Sequence, residues 1–307
     1  MNHERPFSVG KVGNVVQTKD TTIIELPPLR WRCRDKNLEC TNHTLIMGIL
    51  NITPDSFSDG GLFTDTATAI SRAKQMLAEG ADIIDIGGES TRPGAATVDA
   101  REELKRIAPV VEALVAETDA VISIDTTKAE VAREAMRLGA HIINDISALT
   151  NDAEMINIAG EFNAGVVLMH MSGTPRTMQD SPYYDNVVDE VHDYLAQRIN
   201  AVTSAGLAPE TVAIDPGIGF GKTTKHNLLL LANLETLIKL GHPVLVGLSR
   251  KRFLGIVTEM AIQDSLIGSL AGLACAVMNG ANIMRVHDVE ASSSAAKVAV
   301  AIRCSEI

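Results

Sequence analysis

Aromatic side chains are scarce in this 307-residue chain: one Trp, three Tyr and six Phe, 3% of the sequence. A core without them must be packed by Ile, Leu, Val, Met and Ala, and at 46% apolar residues the chain has enough to build one. Cysteine is rare too. The four present, Cys33, Cys40, Cys275 and Cys304, make no disulfide framework and point to a reducing, cytoplasmic setting. Cys33 and Cys40 lack the neighbouring Cys/His cluster that a zinc site requires. Positive charge is in deficit: 27 Lys and Arg against 38 Asp and Glu leave a net charge of −11. That balance argues against nonspecific binding to nucleic acid or to an anionic membrane. An anionic substrate would need a local cluster of cations working against the global field. No secretory h-region opens the chain. The longest uncharged stretch, Ser265 to Met284, is interrupted by Asn279, Gly280 and Asn282. It reads as a buried helix of small residues ending near Asn279-Gly280, followed by a strand, rather than as a membrane span.

From residue 44 onward, short apolar runs alternate with helix-period segments. Strands are predicted over 44–50, 81–86, 120–124, 141–144, 164–169, 211–214, 243–248 and 281–286. Between them lie amphipathic stretches such as Ala69, Ile70, Ala73, Met76 and Leu77, closed by Gly80, and Val131, Ala135 and Leu138, closed by Gly139. Near-continuous apolar strands joined by helical crossovers imply a parallel sheet. Eight such units fit an α/β fold of the closed (β/α)8 TIM-barrel type, with an open doubly wound sheet as the alternative. Residues 44–307 carry no linker and read as one domain. Residues 1–43 form an N-terminal extension, with a hairpin from Thr21–Leu26 and the segment around Trp31 expected to cap the barrel's bottom.

The polar residues fall at the strand ends. In order these are Asn51, Glu89 with the Thr91-Arg92-Pro93 loop, Asp125, Asn144-Asp145, Met169-His170, Asp215, Ser249-Arg250-Lys251, and Arg285 with His287. Barrel active sites lie at the C-terminal face, so these groups should converge on one mouth. Any one of them has an ordinary explanation as a helix cap or buried partner; eight strand ends of eight do not. Asp125, Asn144 and Asp215 offer acceptors suited to a donor-rich, guanidine-like ring edge. Lys251, Arg285, His287 and Arg92 supply charge for an anion, at about 4 kcal/mol per ion pair near 4 Å before desolvation. The end of Asp215-Pro-Gly-Ile-Gly-Phe-Gly-Lys-Thr223 resembles a P-loop, but Pro216 stands where the first Gly belongs, so its glycines are expected to let backbone approach a ligand. Gly247-Leu-Ser-Arg-Lys251 lacks the last Gly of a nucleophile elbow, which removes Ser249 as a nucleophile. Asp85, inside its strand, reads as a buried structural group.

Two loops are the most specific features: Asn51-Ile-Thr-Pro-Asp-Ser-Phe-Ser-Asp-Gly-Gly61 and Gly87-Gly-Glu-Ser-Thr-Arg-Pro-Gly94. Together with Ser123-Ile-Asp-Thr126, Asn144-Asp-Ile-Ser147, Leu168-Met-His-Met171, Leu248-Ser-Arg-Lys251 and Arg285-Val-His-Asp288, they resemble the dihydropteroate synthase family over about residues 44–290. The resemblance implies an enzyme that joins a 6-hydroxymethyl-7,8-dihydropterin diphosphate to 4-aminobenzoate by a dissociative route. By similarity, Asp125, Asn144, Asp215 and Lys251 hold the pterin, with Met169 as its wall and Arg285 against its face. Asn51, Arg285 and His287 meet the diphosphate, and Asn51 is also a Mg²⁺ ligand. Thr91, Arg92, Pro93, Phe220, Ser249 and Lys251 frame the 4-aminobenzoate site, where sulfonamides also bind. Asp59, Arg92 and Lys251 carry the catalytic roles, Asp59 and Arg92 by ordering the two loops.

The same resemblance implies a cytoplasmic homodimer with small-molecule substrates. The dimer face is expected on the helices around 224–240, 263–279 and 288–303, with the small-residue run Gly268–Ala276 allowing close packing. Arg252 follows Lys251 where the family commonly has Ser, which makes the outer aminobenzoate pocket more positive. A pterin-binding methyltetrahydrofolate methyltransferase barrel is the alternative; it shares the acceptor set but has no need of the two loops.

Overall fold

A computed structural model describes residues 14–17, 23–26, 28–52, 61–90, 97–261 and 265–305. Two antiparallel hairpins come first. β1 (Asn14–Gln17) pairs with β2 (Ile23–Leu26), and β3 (Arg30–Cys33) pairs with β4 (Lys36–Glu39). The expected pairing of Thr21–Leu26 with the Trp31 segment is therefore replaced by two local ones. Arg34 takes a left-handed φ of 58° and turns the chain within two residues, so Trp31 meets the nearby Leu38.

The next strands are β5 (Leu45–Asn51), β6 (Ile83–Gly87), β7 (Val121–Asp125), β8 (Ile142–Asp145), β9 (Gly165–Met169), β10 (Val212–Asp215), β11 (Leu245–Val246) and β12 (Ile283–Val286). They form one parallel sheet ordered β10-β9-β8-β7-β6-β5-β12-β11. A bridge between Ile214 and Val244 joins its two ends, so the sheet closes into a (β/α)8 barrel. The outer layer consists of α1 (Gly61–Ala78), α2 (Ala100–Glu117), α3 (Ala129–Leu138), α4 (Met155–Phe162), α5 (Val187–Ser204), α6 (Thr224–Ala232), α7 (Leu234–Ile238), α8 (Arg252–Thr258), α9 (Leu266–Met278) and α10 (Val289–Ser305). Gly139 ends α3 in the left-handed conformation a C-cap requires, with φ of 112°.

Every barrel strand is buried on both faces, and the two-residue alternation sorts its side chains. One set, including Ile46, Ile84, Ile122, Ile143, Val166, Ile214 and Met284, packs with the helices in the larger apolar cluster. The other set, Met47, Ile83, Val121, Ile142, Val167, Ala213, Leu245 and Ile283, fills the barrel with Trp31, Cys33 and Cys40. Trp31 is fully buried and donates its indole N–H to the Thr211 carbonyl at 2.9 Å, so β3–β4 plugs the bottom. One inward step further along the same strands come Asp85, Asn144, Asp215 and Arg285; Asp125 follows Val121 at two steps. The alternation thus fills the lower barrel with hydrocarbon and delivers charge to its mouth.

α9 is not buried all round. Its glycines face inward, Gly268 against Thr258 and Leu254, and Gly272 against Leu248. Its outer side exposes Leu266 and Ile267, the latter 71% accessible. Within the run Gly268–Ala276, Gly268, Ser269, Leu273 and Ala276 are buried while Ala271 and Cys275 are exposed, so the run is divided between interior packing and the outer side. No helix among the described residues is long and apolar enough to cross a membrane.

Candidate active site

Arg285, at the end of β12, organises the mouth. Its Nε donates to Asp85 Oδ2 at 2.6 Å and its Nη2 to Asp125 Oδ2 at 2.7 Å. Asn144 Nδ2 donates to the same Asp85 oxygen at 3.2 Å, so three strands are tied through one buried carboxylate and Arg285 adds β7 through Asp125. Two carboxylates share one guanidinium here. Burial opposes Arg285's charge, but Asp85 and Asp125 outweigh it and hold the guanidinium firmly protonated. Burial pushes the Asp125 carboxyl up to about 7, against the pull of Arg285 and with the push of Asp85.

Asp215, ending β10, accepts from the Gly217 backbone N–H at 2.6 Å through Oδ1. Burial raises its pKa to about 6 despite that bond and despite Lys251 and Lys222 nearby. Lys251, just before α8, sets its ammonium 4.0 Å from the Phe220 ring centroid. Burial first, and then Arg285, lowers the Lys251 pKa to about 8. Met169 packs against Gly217, consistent with a soft wall beside these groups.

On the other side of the mouth, His287 Nδ1 lies 3.1 Å from Ser249 Oγ. Between Ser249 and Lys251, Arg250 takes a left-handed φ of 57°. Its guanidinium is held by Asp288 at 2.6 and 3.2 Å, and its backbone N–H by Ser269 Oγ at 3.2 Å. Those bonds offset the cost of a non-glycine residue in that region and let Ser249 and Lys251 diverge. Asn51, partly exposed at the end of β5, brings its amide oxygen beside Gly87 near Asp125. The mouth therefore holds acceptors for a donor-rich edge, two cations for an anion, and one hard oxygen donor.

Residues 47–287 match the model of a family described as pterin binding enzyme. A dihydropteroate synthase from Haemophilus influenzae is 50% identical over 253 residues, 82% of this chain and 92% of that protein. The solved Xanthomonas albilineans dihydropteroate synthase with 4-aminobenzoic acid superposes with a TM-score of 0.84 at 45% identity, covering 90% of this chain and 99% of that one. The same enzyme in complex with 7,8-dihydropteroate gives a TM-score of 0.80 at 43% identity, over 89% and 98% of the two chains. The chain belongs to the dihydropteroate synthase family.

The structure brings together Asn51, Asp125, Asn144, Met169, Asp215, Phe220, Ser249, Lys251, Arg285 and His287 at the mouth of this barrel. Asp59, Thr91, Arg92 and Pro93 lie outside the described residues. Two strand-end residues serve elsewhere. Glu89 joins Lys128, which also pairs with the fully buried Glu103, and Glu89 accepts from the Val98 N–H at 3.3 Å. Asp145, on the outward parity beside Asn144, accepts from the Ser147 N–H at 2.7 Å.

Asp85 has a larger part than its sequence context indicated: it is a buried strut that aims both Asn144 and Arg285. Only the structure shows its inward parity, two residues after Ile83 and on the same face as the later acceptors. The glycines of 216–221 also differ from expectation. A Cβ on Gly217 would meet the His170 carbonyl oxygen at 1.9 Å, and one on Gly221 the Ser172 carbonyl oxygen at 2.6 Å. Their absence of side chains lets two loops touch each other, whereas Gly219 faces the Lys251 side chain.

Proposed function

We propose that this protein condenses 6-hydroxymethyl-7,8-dihydropterin diphosphate with 4-aminobenzoate to give 7,8-dihydropteroate and diphosphate. The observation that carries the reading is the convergence of Asp125, Asn144 and Asp215 with Arg285 and Lys251 on one barrel mouth. The pterin's guanidine-like edge would donate to the three acceptors, and ionised carboxylates are its best partners. The crystallised relatives bind 4-aminobenzoic acid and dihydropteroate, the two ends of the reaction read here.

The chemistry needs no covalent nucleophile. The C–O bond to diphosphate breaks first, and the electron-rich pterin ring spreads the resulting positive charge. The arylamine then attacks the exocyclic carbon and loses a proton. Arg285 and His287 would take up the charge gathering on the leaving diphosphate. Lys251 and Phe220 would flank the arylamine, with Ser249, Thr91, Arg92 and Pro93 completing its surroundings, and Asp59 with Arg92 would help exclude water.

A magnesium ion fits this donor set in one way only. Among the described residues, no group of three or more His, Cys, Asp or Glu is suited to holding a metal. Asn51 offers a single hard oxygen, which matches an ion bound mainly by water and substrate phosphate. So held, the ion would supply Lewis-acid stabilisation to the leaving group.

The exposed aliphatic residues Ile256 and Val257 of α8, Met260, and Leu266 and Ile267 of α9 form the surface proposed for a second copy of the chain. Its large side chains, rather than the small-residue run, would carry the contact. Light scattering that finds a monomer at micromolar concentration removes this part. The described cysteines are free, in keeping with a proposed cytoplasmic setting. The reaction itself is tested by diphosphate release from the pterin diphosphate with and without 4-aminobenzoate. No aminobenzoate-dependent release from the purified protein would end the reading.

A further inference from the structure

Lys222 is a buried ammonium that the reaction above does not use. Its Nζ donates to His170 Nδ1 at 2.9 Å, to the His170 carbonyl at 3.3 Å and to the Phe220 carbonyl at 3.0 Å. Three donors thus meet three acceptors, and among the described residues Lys222 makes no salt bridge. A buried charge whose hydrogen bonds all go to neutral groups is costly, so its place calls for a reason beyond stability.

The reason lies in what its acceptors belong to. His170 follows β9, and Phe220 sits in the segment that follows β10. That second segment carries Gly217, Gly219 and Gly221, all with left-handed φ (66°, 83° and 64°), and such a run has little side-chain packing to fix its path. Asn227 Oδ1 accepts from the Gly219 N–H at 2.8 Å, and Gln179 and the Tyr184 hydroxyl donate to the carbonyls of Gly219 and Gly221 at 2.6 and 2.9 Å. These bonds fasten either side of Phe220. Among the described residues, Lys222 is the side chain that bonds the carbonyl of Phe220 itself.

We propose that Lys222 is a positioning residue for the arylamine side of the site: it staples the segment after β9 to the segment after β10 and so holds the Phe220 ring beneath Lys251. The surroundings sustain this role. Burial and the neighbouring Lys222 lower the His170 pKa to about 3, so the imidazole stays neutral and is a constant acceptor. Its ring is fixed edge-on to Tyr194, with centroids 4.9 Å apart. Burial lowers the Lys222 pKa to about 7, with Lys251 adding to the shift and Asp215 opposing it, so the third donor is held at a cost and is lost as pH rises through neutrality.

The inference rests on the 4-aminobenzoate reading, and wild-type aminobenzoate-dependent diphosphate release tests that reading first. The test of Lys222 is steady-state kinetics of Lys222→Met and Lys222→Arg in the full chain, with thermal unfolding alongside. The expected result is a KM for 4-aminobenzoate raised at least about tenfold, with the KM for pterin diphosphate within about twofold of wild type. In a Phe220→Ala background, Lys222→Met should add little further, because both changes act through the same ring. Should Lys222→Met not fold, Lys222→Arg carries the test, since a planar guanidinium cannot point three donors at these acceptors. The proposal is overturned if both KM values move together or not at all, if the two effects multiply, or if neither variant folds, which would make Lys222 purely structural.

Discussion

The two ends of the barrel interior are made from the same eight strands and the same inward parity, yet they obey opposite rules. At the bottom, Trp31, Met47, Ile83, Ile142 and Ile283 are apolar and fully buried. At the mouth, Asp85, Asp125, Asn144 and Asp215 occupy the continuing inward positions and bury polarity instead, with the half-buried Arg285 among them. The bottom follows the physics of packing, in which removed water stabilises the fold by about 25 cal/mol per Å². The mouth does the reverse. Burial there raises the pKa of both Asp125 and Asp215, so the ionised carboxylates are held at a cost to the fold. Stability is concentrated at one end of the cylinder and reactivity at the other.

The bottom should respond most in stability. Trp31→Ala removes the largest side chain of the plug and the bond to Thr211. It should cost about 3–5 kcal/mol in chemical denaturation, with kcat/KM per folded molecule unchanged. A large loss of turnover at nearly wild-type stability would erase the division between the two ends. Arg285→Met should come next, at about 3 kcal/mol, because it strands Asp85 and Asp125 in a buried site. Unlike the plug variant it should also abolish turnover. Its stability defect should shrink in acid, where Asp125 can take a proton; denaturation curves at pH 5 and pH 8 would show whether it does.

The barrel was legible because helical crossovers and short apolar runs leave few other topologies. The observed strands begin within two residues of their expected starts. The mouth was legible for the same reason: a polar residue after a continuous apolar run stands out. What hydropathy could not give was parity, since strands buried on both faces carry no alternating signal. For that reason Asp85 read as a buried structural carboxylate without its partners, Asn144 and Arg285, being named. Lys222 was hidden differently. In sequence it completes a fragment of a phosphate-binding motif, and only the fold brings His170, fifty-two residues away, to its ammonium. On α9 the small residues drew the reading, whereas the large side chains exposed on its outer side are Leu266 and Ile267 at its start and Met278 at its end.

Asp215→Asn sharpens the comparison at a smaller scale. The variant keeps the side chain's shape, turns an acceptor into a part-donor, and removes a carboxylate that burial already disfavours. Pterin affinity measured by calorimetry should fall by about 1–3 kcal/mol. Stability at pH 8 should be unchanged or higher. Wild-type pterin affinity in this variant would show that the pocket has been assigned to the wrong groups.

The smallest effect expected is the pH dependence of pterin binding, and its sign follows from the direction of the shifts. Asp215 titrates at about 6 in the folded chain, above the ordinary carboxylate value, because burial favours its neutral form. Between the unfolded value near 4 and the folded value the native state therefore binds the extra proton, so this group's contribution to stability falls as pH rises. Ligand binding should run the other way. A donor-rich pterin edge needs the ionised carboxylate, so Asp215 alone should make affinity rise between pH 5 and pH 7 by about tenfold, or about 1.4 kcal/mol. Asp125, at about 7, should steepen that rise and carry it on above pH 7 rather than reverse it. Binding should accordingly release protons near pH 6, seen as a dependence of the calorimetric enthalpy on the buffer's ionisation heat, and Asp215→Asn should reduce that release. An affinity that stays flat from pH 5 to pH 7 would mean that the carboxylates at the mouth enter the complex in the protonation state they already hold without ligand.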